Sequence, residues 1–223
     1  RHPRRPLLRH PHHRDQMTDT TFTYDDTAAA FRYASHWWRS IVGAIDDHHW
    51  DQTGLGEWTV KELVAHTDRA YKTIITYLTA DTVDPTPIAT AAEYFRIVLG
   101  EETPHVHIAA RARTEAAEVS DWISETDALA RSCEKLVADT PGDAVCHLMV
   151  GEMELSQYLA TRVTELVVHG LDLAQVLGLD VNPPPVATKI VLQLLLDVAD
   201  EPAQTAVIRY LTGRPSPGVN VLS

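Results

Sequence analysis

The stretch MELSQYLATRVTELVVHGLDLAQVLG, Met153 to Gly178, decides how the rest of the chain is read. Leu155, Leu159, Leu166, Leu173 and Leu177 recur at steps of three and four, the period of one buried face of an amphipathic helix. Glu165 and His169 lie in that same stripe. Side chains four apart on a helix sit one above the other, so a carboxylate and an imidazole project together into whatever this face packs against. A lone buried carboxylate is costly unless it is paired or binds a cation. The pair therefore predicts a site completed by a residue from another helix.

Upstream, DAVCHLMV (Asp143 to Val150) is short, apolar and β-compatible, and reads as an extended connection into this helix. Before Pro141 and Gly142, an interrupted helical run from about His105 to Thr140 places Val119, Trp122, Leu129, Cys133 and Leu136 inside, with Ser120 as a cap in mid-run. Glu102 and His105 have the E-x-x-H spacing of a ligand pair, but Pro104 between them opposes a helix. His105 and His107 share a face only in an extended chain. Ala91 to Leu99 reads as a short helix after the proline-bearing loop Asp81 to Thr90.

The segment TGLGEWTVKELVAHTDRAYKTIITYLTAD supplies the partner. Thr59 followed by Glu62 is a capping box, so one helix is expected from Thr59, with Leu63, His66, Ala70, Ile74 and Tyr77 on a single face. His66 thus falls in a buried stripe. A lone histidine there reads as a satisfied core residue, but together with Glu165 and His169 it makes a two-imidazole, one-carboxylate set. Such a set leaves one position of a tetrahedral zinc open, as catalytic rather than structural zinc sites do. The donors suit iron or nickel as well, and zinc is the first expectation. A di-iron bundle needs more inward glutamates in E-x-x-H pairs than this chain offers.

A first helix is expected over Asp26 to Asp47, with Phe31, Ala34, Trp38, Ile41 and Ile45 inward and Trp37 a second core aromatic. His48, His49 and Trp50 follow in a loop. At the N-terminus, RHPRRPLLRHPHHRDQ (residues 1–16) is rich in Arg, His and Pro, without apolar periodicity, and reads as a disordered extension before Met17. Beyond Gly178, Val186 to Ala199 and Gln204 to Leu211 read as two helical segments before the turn-rich ending GRPSPGVNVLS. The organisation expected is a disordered 1–16, a helical domain over 26–178 and a short helical segment over 179–223.

Composition narrows the partners. With 223 residues and 44% hydrophobic content, the chain can bury a full core as one domain. A net charge of -12 argues against a nucleic-acid backbone as ligand, because phosphate neutralisation needs clustered Lys and Arg. The two cysteines, Cys133 and Cys146, have neither zinc-knuckle spacing nor the density of a disulfide scaffold. No run of eighteen apolar residues occurs, and a cytoplasmic protein without a membrane partner, monomeric or homodimeric, is expected.

The segments EWTVKELVAHT and TRVTELVVHGLDLAQVLG, taken together, resemble the metal-binding domain of mycothiol-dependent maleylpyruvate isomerases, a branch of the DinB-like four-helix metalloproteins. The likeness covers roughly Ala28 to Gly178 and rests on Trp58, the Thr59-capped helix and His66, then Glu165, His169-Gly170 and Asp172. It implies an all-α, up-down-down-up four-helix bundle with a short helical C-terminal tail, and His66, Glu165 and His169 as ligands of a divalent metal. It also implies a mycothiol-type low-molecular-weight thiol as cofactor, acting on a small electrophile by S-transfer or cis-trans isomerisation. The isomerases follow this bundle with a second domain that supplies an arginine. Here 45 residues remain after Gly178, with Arg209 and Arg214 as their only arginines. Those two and Arg162, one turn before Glu165, are the candidates for holding an anionic substrate. The alternative is a non-catalytic metal-binding or regulatory module that retains the bundle alone.

Overall fold

The computed structural model describes residues 19–100 and 119–222. The extension 1–16 and the residues Glu102, His105 and His107 lie outside the described residues. Helix α1 (Tyr24–Val42) leads into a small antiparallel pair, β1 (Thr53–Leu55) and β2 (Trp58–Thr59), then α2 (Val60–Thr67), α3 (Arg69–Thr79) and α4 (Ala91–Leu99). Helix α5 (Trp122–Asp139) precedes a hairpin, β3 (Val145–Leu148) and β4 (Gly151–Glu154). The long α6 (Leu155–Val176), α7 (Pro185–Val198) and α8 (Glu201–Leu211) complete the order. The fold is mostly helical, as expected, and the two hairpins are the additions.

Helices α1 and α6 share the longest interface. Phe31, Ala34, Trp38 and Ile41 of α1 are buried with Leu155, Leu159, Leu166 and Leu173 of α6, so the stripes read from the sequence do face the core. Leu177 is only partly buried, beyond the end of α6. Helix α7 adds Ala187, Ile190, Val191 and Leu194 to the same core, against α6, α1 and α4. By contrast α8 leaves Ile208, Tyr210 and Leu211 exposed.

Four boundaries differ from expectation, each for a physical reason. The helix expected to run unbroken from Thr59 divides at Asp68. Asp68 is fully buried, and its carboxylate accepts hydrogen bonds from Trp38 Nε1 at 2.9 Å and Thr126 Oγ1 at 2.5 Å. The chain kinks there with that side chain aimed at α1 and α5. Burial pushes the Asp68 carboxyl up to about 7 despite those two donors.

Second, the extended connection is one strand of a hairpin, and Met153 pairs with Cys146 in it rather than opening α6. Helix α6 begins at Leu155 without a side-chain cap, because its first free N–H groups reach loop carbonyls: Leu155 N to Ala144 O at 2.8 Å and Ser156 N to Gly142 O at 3.0 Å. Third, α5 is capped by Asp121, whose carboxylate accepts from Ser124 N, and not by Ser120. Fourth, α1 ends at Gly43, with Ile45 buried past its end.

Candidate metal centre

Local sequence fixes where each side of the site begins. Thr59 and Glu62 form the capping box in full: Thr59 N donates to Glu62 Oε2 at 2.8 Å, and Glu62 N donates to Thr59 Oγ1 at 3.2 Å. The box sets the start of α2 and hence the azimuth of His66, two turns on. Trp58, immediately before the box, lays its ring 4.6 Å from that of His66 at 50°. On α6, Glu165 and His169 sit one above the other, as their spacing demands.

Tertiary packing brings the three together. His66 Nε2 lies 3.7 Å from Glu165 Oε2, and His169 Nε2 lies 3.4 Å from the same oxygen. The imidazole rings stand 5.0 Å apart at 80°, edge to face. One donor atom from each residue falls within 4.8 Å of the other two. Donors held about 2.0–2.1 Å from a tetrahedral cation are about 3.3 Å from one another, so the set is close to coordination spacing. The side chains of His66, Glu165 and His169 are 16%, 25% and 15% exposed, shielded but reachable by a small molecule.

The electrostatics are asymmetric. Burial disfavours charge on Glu165, yet the imidazoles of His169 and His66 and the guanidinium of Arg162 outweigh it and hold the carboxyl well below the usual range. Burial also acts against a proton on His169, but Asp172 and Glu165 push that imidazole up to about 9. His66 moves the other way, lowered by burial with Glu165 opposing. The difference has a structural origin. Asp172 Oδ2 lies 3.1 Å from His169 Nδ1 and orients that ring so that Nε2 faces Glu165. Among the described residues, His66 Nδ1 is buried with no hydrogen-bond partner.

Of the arginines, Arg162 is buried on α6, its guanidinium carbon 4.8 Å from the centre of the Tyr158 ring. Arg209 and Arg214 are exposed, on and just after α8, and Arg214 donates to the Thr212 carbonyl at 3.0 Å. Arg209 lines a surface cleft with Glu201, Pro202, Thr205 and Pro217. The structure joins neither of them to the His66 cluster. His48 and His49 lie on a surface turn with Asp46, where His49 Nδ1 accepts from Asp46 N at 3.3 Å.

Cys133 and Cys146 are free and buried, and burial pushes both thiols up to about 12. Sequence reasoning noted Trp58 and Asp172 only within a resemblance and passed over Tyr158. The i,i+3 step from His169 to Asp172 was a usable signal; the Trp58 contact depends on the path of the β1–β2 hairpin.

A family model described as "Mycothiol maleylpyruvate isomerase N-terminal domain" matches residues 31–174, well over half of the chain. No curated protein matches it, and no solved structure does.

Proposed function

The chain belongs to the mycothiol maleylpyruvate isomerase N-terminal domain family, and from that premise we propose a divalent-metal-dependent enzyme that uses a mycothiol-type low-molecular-weight thiol. The observation that carries the reading is the convergence of two imidazole Nε2 atoms from α2 and α6 on one oxygen of Glu165. The donor set and its spacing fit zinc with one direction left for a ligand. His66, Glu165 and His169 hold the cation, Asp172 fixes the His169 ring, and the Trp58 ring covers one side of His66. When bound, the cation lowers the pKa of a coordinated thiol, so that sulfur is presented as thiolate at neutral pH. The sulfur comes from the cofactor, since burial pushes the Cys133 and Cys146 thiols up to about 12. Its acceptor is a small electrophile, by S-transfer or by reversible addition that permits cis-trans isomerisation.

In this reading α1, the α2–α3 pair, α5 and α6 are the four helices of an up-down-down-up bundle over residues 26–178, and 179–223 is a helical appendage. Arg162, rather than Arg209 or Arg214, is the arginine assigned to the site. No helix among the described residues is long and apolar enough to cross a membrane. The reading places the protein in the reducing cytoplasm, as monomer or homodimer.

The test is metal analysis of protein expressed in metal-replete medium, beside His66→Ala and Glu165→Gln. One divalent ion per chain, lost in both variants, together with thiol-dependent turnover of chlorodinitrobenzene, is the expected result. Protein without stoichiometric metal refutes the proposal. Metal without any thiol-dependent turnover favours the non-catalytic metal-binding module.

A further inference from the structure

Helix α8 presents more apolar surface to solvent than it packs. Only Ala206 in it is buried, whereas Ile208 and Leu211 are 62% and 76% exposed, with Tyr210 open beside them. No other described element shares an extensive interface with α8. A helix of eleven residues has little stability of its own in water and ordinarily depends on the packing of an apolar face. Helix α7 continues the feature. Its buried face is Ala187, Ile190, Val191 and Leu194, while Leu192 and Leu196, four apart on the opposite side, remain exposed. At the junction of the two helices Gln204 Nε2 donates to Leu196 O at 2.8 Å and to Ala199 O at 3.2 Å. Gln204, Ile208 and Leu211 recur at steps of four and three, so the open stripe of α8 starts where the outer leucines of α7 end.

Scattered exposed apolar residues are ordinary, but five on two joined helices make a patch. Their exposed fractions leave roughly 500–600 Å² of side chain open per chain, the upper end of what a monomer carries. Two such faces closing on each other remove about 1,000–1,200 Å², the size at which a specific interface begins.

Charge identifies the occupant. The chain carries -12 overall, so repulsion opposes contact between two copies over most of the surface. The segment after Gly178 escapes this, with Lys189, Arg209 and Arg214 against Asp180, Asp197, Asp200 and Glu201, a net -1. The charges are also sorted along α8, with Asp200 and Glu201 at its start and Arg209 and Arg214 at its end. That sorting suits the dipole of α8, which accounts for the charges but not for the apolar residues between them. Two α8 helices laid antiparallel bring each acidic start beside the other's basic end. The same arrangement carries Ile208 and Leu211 of each copy toward Leu196 and Leu192 of the other, because those leucines lie at the starting end of α8. A parallel arrangement sets like charges together at both ends.

We propose that the outer face of α7 and α8 is a self-association surface, on which two copies of this chain pair about a twofold axis with their α8 helices antiparallel. The surface uses no residue of the His66 cluster, and the pairing does not depend on a bound metal.

Sedimentation velocity of the full chain over a range of concentrations tests it. A monomer–dimer equilibrium with Kd at or below about 10 μM is expected. Ile208→Asp puts a charge at the centre of the patch and weakens it at least about a hundredfold. Glu201→Arg and Arg209→Glu each weaken it about tenfold, and the two combined return it to within about threefold of wild type, since the antiparallel pairs are re-formed with their signs exchanged. Wild-type chain still monomeric at about 100 μM overturns the proposal, and so does a dimer indifferent to Ile208→Asp. A combined charge reversal no better than its two parts overturns the antiparallel pairing. If Ile208→Asp does not fold, the charge series decides alone.

Discussion

Replacing Gly170 by alanine separates what a helix prefers from what this interface permits. Gly170 lies inside α6, next to His169, where glycine costs about 1 kcal/mol relative to alanine. Considered as a helix alone, Gly170→Ala should therefore stabilise by about that amount. The tertiary structure reverses the sign. A Cβ at Gly170 falls 2.2 Å from Trp37 Cζ3 and 2.8 Å from Cη2.

Trp37 is 8% exposed in α1, and α1 and α6 form the most extensive helix pair, so neither ring nor backbone yields freely. Overpacking typically costs about 1–3 kcal/mol, and so deep an overlap belongs at the upper end. Against a helix gain of about 1, the net loss is about 2 kcal/mol, or about 4–8 °C in Tm for a chain of this size. Chemical denaturation of wild type, Gly170→Ala, Trp37→Leu and the double variant measures it. The double-mutant cycle should give a coupling of at least about 1 kcal/mol, since Leu removes the atoms the methyl strikes. Gly170→Ala as stable as wild type, or purely additive effects, refutes the argument.

Three further outcomes follow from the same geometry. Thr59→Ala removes one half of the capping box and should lower stability by about 1 kcal/mol in urea unfolding, with the Trp58 and His66 resonances among those that shift. Asp172→Asn should weaken metal binding about 10–100-fold by competition with a chelating dye, while leaving the fold intact by circular dichroism. With thiols pushed up to about 12 by burial, Cys133 and Cys146 should resist a disulfide reagent at pH 8 in native protein and react at once after unfolding. Raising the pH toward 9 should not open them, since protonation is set by burial rather than by a titrating neighbour.

Much of the site was legible because it is written in local period. Glu165 and His169 share a face by being four apart, and the Thr59 box announces where the helix bearing His66 begins. The hairpin around Cys146 and Met153 was half legible: DAVCHLMV showed strand character, but its partner lay in a stretch whose apolar residues also fit the following helix. The kink at Asp68 was not legible, since it answers to Trp38 and Thr126, 30 and 58 residues away.

By itself, then, the sequence determined which residues sit on buried helical faces, which helix starts at Thr59 and which family the chain resembles. These are properties of neighbours along one chain, governed by the 3.6-residue period and by capping chemistry. Only the tertiary structure decided that His66 and His169 approach the same oxygen of Glu165, that Trp58 covers one imidazole and Asp172 orients the other, and that Arg162 lies buried against the Tyr158 ring. Those distances depend on how α1, α2 and α6 pack. Packing is set by side-chain volumes summed over the whole core, Gly170 against Trp37 among them, and no local period encodes it.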